Sequence, residues 1–163
     1  MNRALGLLGI IATVMIASVG CAAGVGPLEP NGSGQLCISS GPDESVAYGE
    51  LVDLPGDVDE TVVLDSLETV GAAGADFYVL PMEGTTSQGT FSLDDPPKVW
   101  EQRQRAEGYA IDPGESANIM AVFPPLGGSE IDVTELVIGY HEQSGRTYEV
   151  TSSLRVKVKS ACF

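Results

Sequence analysis

Towards its C-terminal end the chain alternates between apolar and polar residues with a period of two. In residues 134–142, Leu136, Ile138 and Tyr140 share one face, and Glu135, Val137, Gly139 and His141 share the other. In residues 147–159 the even positions Tyr148, Val150, Leu154, Val156 and Val158 face one way, while Glu149, Thr151, Ser153, Arg155, Lys157 and Lys159 face the opposite way. Successive side chains of a β-strand point to opposite faces, so this pattern gives one buried and one wet surface only as a strand. Residues 143–146, Gln-Ser-Gly-Arg, supply a turn between the two segments, and the pair reads as a β-hairpin. A lone hairpin is marginal in water. The remainder of the chain must therefore provide a second layer for its apolar face.

That remainder is organised in short β-type segments closed by Gly, Pro, Asp or Asn. They cover residues 36–38, 46–54, 61–70, 76–80, 90–93, 109–111 and 117–123, with no internal repeat, heptad or long helical period. In Asp112-Pro113-Gly114-Glu115, proline fixes the first corner of a turn and glycine permits the second. This organisation predicts an all-β fold, an antiparallel immunoglobulin-like sandwich of about seven short strands. The turn, the strand after it and the closing hairpin resemble those of extracellular immunoglobulin-like domains of bacteria, over about the last third of the chain. The antibody pattern of a central core-strand Trp between paired cysteines is missing, which argues against an antibody-type domain. A small barrel or jelly roll is the alternative.

The N-terminal segment has a different character. Arg3 is followed by residues 4–19, which carry no charge and are dominated by Leu, Ile, Val, Met and Ala. This is a positive n-region followed by an apolar h-region, shorter than the roughly 20 residues of a spanning helix. It ends in Ala17-Ser18-Val19-Gly20-Cys21. That stretch resembles the bacterial lipobox, with small Gly20 directly before the cysteine and Ser18 where leucine is commonest. The resemblance implies a signal peptide over residues 1–20, cleavage before Cys21, and diacylglycerol and acyl lipid on Cys21. Two chains hold a protein on a bilayer where one does so only marginally. The alternatives are an ordinary secretory signal cut elsewhere or an uncleaved helix. Residues 21–35, rich in Gly, Pro and Ala, read as a lipidated flexible tether, and residues 36–163 as the β-sandwich domain.

The resemblance also organises the three cysteines, Cys21, Cys37 and Cys162. With Cys21 lipidated, Cys37 and Cys162 are left as a pair, and in an oxidising compartment they are expected to form a disulfide joining the two ends of the domain. Two unpaired thiols are the alternative. Charge narrows the partners. The formal net charge of −15 becomes −16 if Arg3 leaves with a signal peptide, and no Lys or Arg stands between Cys21 and Pro97. Such a surface repels nucleic acid and anionic headgroups, so no nucleic-acid partner is expected. The acidity suits a solvated domain outside the cytosol, while a basic partner or a divalent cation is the sharper reading.

Few residues point to chemistry. His141 is the single histidine, and Ser129 lies in Gly127-Gly128-Ser129-Glu130 without the glycine spacing of a nucleophile elbow. No acid–base pair or zinc spacing is legible, so no catalytic residue is assigned. Asp57, Asp59 and Glu60 are the best cation ligands in the sequence, and Asp94-Asp95 a weaker pair; both lack the glycine and distal glutamate of an EF-hand. Residues 98–105 hold the single Trp and three basic residues, and after Pro96-Pro97 they read as one or two helical turns. Trp100, Arg103 and Arg105 are candidate partner contacts, because Trp and Arg are favoured interface anchors. In the bland alternative, Trp100 caps the core. The expectation is a membrane-anchored extracytoplasmic lipoprotein with a non-catalytic binding domain, a possible envelope-protein partner and no cofactor beyond its lipid. A solute- or cation-binding accessory of a transport system is the alternative.

Overall fold

The computed structural model describes residues 26–82 and 89–162. The signal segment and Cys21 lie outside the described residues. Among the described residues twelve strands run in chain order: β1 (Glu29–Pro30), β2 (Ser33–Ser39), β3 (Val46–Asp53), β4 (Val62–Val70), β5 (Asp76–Leu80), β6 (Thr90–Ser92), β7 (Gln104–Arg105), β8 (Ala110–Ile111), β9 (Ser116–Phe123), β10 (Ile131–Val133), β11 (Glu135–Glu142) and β12 (Thr147–Lys159). A 3₁₀ turn at Lys98–Gln102 follows the two prolines.

The strands form two sheets. In one the order is β1-β3-β9-β5-β7, with β6 also on β3; in the other it is β10-β12-β11-β4-β8, with β2 also on β12. In the first, β1-β3-β9-β5 matches the order of strands A, B, E and D of an immunoglobulin sandwich. In the second, β4-β11-β12 matches C, F and G. The fold is therefore an immunoglobulin-like β-sandwich, whose seven frame strands are supplemented by β2 and by the short strands β6, β7, β8 and β10.

The closing hairpin forms as the alternation requires. Leu136 pairs with Ser152 and His141 with Thr147, and β10 continues the ladder as far as Ile131 against Val158. Between the sheets, Val52, Val79, Ala117 and Ile119 of the first meet Val62, Leu64, Leu136, Ile138 and Tyr140 of the second. A second part of the core joins Val46, Tyr48, Ala121 and Phe123 to Val133, Val156 and Val158. At Asp112–Glu115 the Glu115 amide donates to the Asp112 carbonyl at 2.9 Å, and Gly114 takes φ 83°, a value that glycine adopts without strain.

Three features depart from the expectations. The ordered domain begins before Gln35: Leu28 is 2% exposed, Pro30 pairs with Val52, and Ser33 pairs with Ser153. The Gly- and Pro-rich composition serves here to turn the chain from β1 in one sheet to β2 in the other, so a tether running to residue 35 is too long. β2 lies parallel to β12, which makes that sheet mixed and not purely antiparallel. β9 is buried on both faces from Ala117 to Phe123, because a small second core covers the outer face of its sheet.

Candidate functional site

That second core centres on Trp100. Val99, Met120, Val122, Ala47 and Leu80 are its buried members, with Tyr78, Phe91, Leu93 and Trp100 packed around them. Trp100 meets Tyr78 and Phe91 edge-on, each at 5.3 Å between ring centroids. The 3₁₀ turn places the indole there, since Pro97 starts the turn and the Trp100 amide donates to the Pro97 carbonyl. The Arg103 guanidinium stacks 4.6 Å from the Trp100 ring and 5.6 Å from Tyr78, and Arg105 sits 5.3 Å from Tyr78. The structure therefore brings Trp100, Arg103 and Arg105 together as a cationic–aromatic platform. Trp100 is half-buried and the arginines are exposed. Arg105 also pairs with Asp76 at 3.1 Å.

The acidic residues of the 54–61 loop do not converge. Asp57 and Asp59 are exposed, while Glu60 turns to the closing hairpin. Glu60 accepts the Ser144 N–H at 2.8 Å and lies 3.5 Å from Arg146. That backbone hydrogen bond is the main reason the Glu60 carboxyl is held below its ordinary pKa. Glu142 also engages Arg146, at 2.7 Å. Among the described residues, no group of three or more His, Cys, Asp and Glu is placed to hold a metal ion. Asp94 and Asp95 lie exposed after β6; there the Asp94 amide donates to Ser92 Oγ. Ser129 and His141 are set at opposite ends of the ladder, for Ile131 begins β10 and His141 falls near the end of β11. Ten residues of strand separate them by roughly 30 Å. His141 Nδ1 instead lies 2.7 Å from Asp65.

Cys37 and Cys162 form a disulfide with Cα atoms 5.9 Å apart. It joins Cys37, which pairs with Lys157 inside the β2–β12 ladder, to Cys162, which lies past the ladder's last pair, Ser39 with Lys159. Ser39 Oγ accepts the Cys162 amide at 3.1 Å.

Two features had no sequence assignment. Glu50 is 1% exposed and lies on the inward face of β3, between Tyr48 and Val52 in the alternation. Its carboxylate accepts the Gly32 N–H at 2.6 Å and the Ser152 hydroxyl at 2.8 Å. Burial nevertheless raises its pKa, against the lowering effect of those two donors. Gly32 is required by this approach, since a Cβ there would strike the Glu50 carboxylate. A sequence signal existed: one acid occupies the apolar phase of Val46, Tyr48 and Val52.

The other feature is an open groove between the edges of β4 and β5. Its two parts, about 610 and 380 Å³, share Leu67, Ala75 and Phe77. Asp65, Glu68, Asp76 and Glu107 stand along it with Arg105.

No protein-family model matches the chain, and no curated protein matches it. Solved structures that it is similar to include the ASH/PapD-like domain 7 of human CEP192, at 10% identity and a TM-score of 0.49, covering 99% of this chain and 98% of that one. The Vibrio cholerae VesB protease is matched at 14% identity and a TM-score of 0.43, covering 82% of this chain and 32% of that one.

Proposed function

We propose that the chain is an extracytoplasmic lipoprotein, held on a membrane by lipid on Cys21, whose sandwich domain binds an envelope partner and catalyses no reaction. The observation that carries the reading is the Cys37–Cys162 disulfide. Bridges of this kind persist in oxidising compartments, and this one accounts for two of the three cysteines. Cys21 is the third, directly after Gly20 at the end of the apolar run.

The position of the first described residues supports the reading. Gly26 is closely packed against Tyr140 and Tyr148, and the Leu28 amide donates to the Tyr140 hydroxyl at 3.1 Å. The packed domain reaches back at least to Gly26, five residues after Cys21, so no more than about 18 Å of chain can lie between that contact and the lipid. The end that would face the bilayer carries Asp57, Asp59, Asp112 and Glu115, all exposed. Anionic headgroups would repel it, so the domain would stand off the surface with the sides of both sheets accessible. The Trp100–Arg103 platform lies on one of those sides and is the candidate contact for a protein partner.

The experiment is Cys21→Ser in a bacterial host. The expected result is release from the membrane fraction with the Cys37–Cys162 bridge intact. Lipid-labelled protein still retained in the membrane would overturn the anchor.

A further inference from the structure

We propose that the open edge of β4 is a docking site for an extended, basic peptide segment of another protein, which adds to the second sheet as an extra strand. The proposal does not rest on the lipid anchor, since Cys21→Ser would remove the anchor and leave this edge untouched.

Three observations lead to it. The first is an uncovered edge. One side of β4 is paired with β11 from Val62 to Val70. On the other side β8 pairs with Val62 and Val63, and Gly108 and Tyr109 bond to the backbone of Leu64. From residue 65 to 70 no further strand pairs with that side among the described residues. The β-bulge at residue 65 leaves five residues of regular strand, 66–70, which offer about 17 Å of edge. Exposed edges are ordinarily blunted by lysine, proline or a covering loop. Ser66-Leu67-Glu68-Thr69-Val70 contains no lysine or proline. The loop that follows, Gly71-Ala72-Ala73-Gly74, has only small side chains with which to fill the space.

The second observation is the floor. Leu67 and Phe77 are half-buried and packed against the core, and Ala75 lies between the two parts of the groove. Val70, at one end, is 40% exposed and is the one large exposed hydrophobic side chain among the described residues. An added strand would present alternate side chains to this floor, the usual division of labour in strand addition: backbone bonds give affinity and pockets give selectivity.

Charge is the third. Asp65, Glu68, Asp76 and Glu107 flank the groove. Its one cation, Arg105, is already paired with Asp76. The chain around it carries a formal net charge of −15. A peptide with Lys or Arg on its outward face complements this rim, and an acidic peptide would be repelled.

The test uses the full chain in detergent and three labelled octapeptides: alternating Lys-Val, alternating Glu-Val, and Lys-Val methylated on alternate backbone nitrogens. Fluorescence anisotropy is expected to show saturable binding of the Lys-Val peptide alone. Hydrogen exchange is expected to slow in residues 65–70 when it binds. Glu68→Lys with Glu107→Lys, both exposed positions, should weaken binding by about tenfold or more with the melting temperature retained. The proposal is overturned if the Lys-Val peptide does not saturate, if the methylated or Glu-Val peptide binds equally well, or if protection maps elsewhere. Equal binding by the charge-reversed variant overturns it too. Dimerisation of the chain that the peptide displaces would make a second copy the occupant and refute the assignment to another protein.

Discussion

Removing the Cys37–Cys162 bridge should lower the melting temperature by an amount that the chain length sets. The cysteines are 125 residues apart, so the bridge closes nearly the whole domain into one loop. The loop-closure relation for the unfolded chain gives about 5 kcal/mol at 25 °C for a loop of this length. An unfolding entropy of about 2.1 cal/mol/K per residue, over roughly 137 residues, converts this to a drop of about 17 °C. Little should be lost from the folded state itself, because Cys37 is exposed and Cys162 half-buried, and β2 keeps seven pairs with β12. The assay is calorimetry of the Cys37→Ser/Cys162→Ser variant beside the unaltered protein with and without reductant. The double variant and the reduced protein should melt together. A drop under about 5 °C would show that the bridge restrains little of the unfolded ensemble and would refute the reasoning.

Trp100→Ala should destabilise by about 2 kcal/mol, less than for a fully buried tryptophan, because the indole closes the core on the outer face of β9; denaturant unfolding measures it, and an unchanged midpoint would make Trp100 purely a surface contact. Glu50→Gln should change the pH dependence of stability. Burial raises the Glu50 pKa above its ordinary 4.5 in the folded state, so the folded protein disfavours the carboxylate, and the stability present when it is protonated is lost as pH rises through the unfolded and then the folded value. The difference between the Gln variant and the parent should therefore move in favour of Gln from pH 4 to pH 7, as melting curves across that range will show; a constant difference would contradict it. Gly32→Ala should be destabilising on its own, and less so in a Glu50→Ala background where the colliding carboxylate is gone, a non-additivity that a double-mutant cycle reads directly.

The sequence made some elements plain and concealed others for identifiable reasons. The closing hairpin was legible because one of its faces is wet, so polarity records direction at nearly every position. The turn at Pro113-Gly114 was legible because two residues with opposite backbone demands stand together. β9 was legible as a strand at 117–123, and only the cover on its outer face was not. Both of its faces are buried, so Met120 and Val122 erase the alternation of Ile119, Ala121 and Phe123. The start of the domain was misjudged since Gly, Pro and Ser between residues 26 and 35 suit a tether and a sheet-to-sheet crossover equally well. Leu28 alone signalled burial. The parallel pairing of β2 depends on which edge of β12 is vacant, a property of the assembled sheet. Trp100, Arg103 and Arg105 were found as a group because they are close in sequence, whereas their partners Tyr78 and Phe91 arrive from other strands. Glu50 and the β4–β5 groove went unassigned. The phase of Glu50 marks it as inward-facing, but its donors Gly32 and Ser152 come from distant segments, and the groove exists only between two strands that belong to different sheets.

If Cys21 is the lipidated N-terminus of a disulfide-closed domain, the mature protein has a distinctive mass. Intact-mass measurement of the protein extracted from bacterial membranes tests it most directly, with fragmentation of the N-terminal peptide. The expected product is a chain without residues 1–20, beginning at Cys21 with diacylglycerol on its sulfur, and two hydrogens lighter than the reduced form because Cys37 and Cys162 are joined. A chain that retains residues 1–20, or one with an unmodified Cys21 thiol, would contradict it.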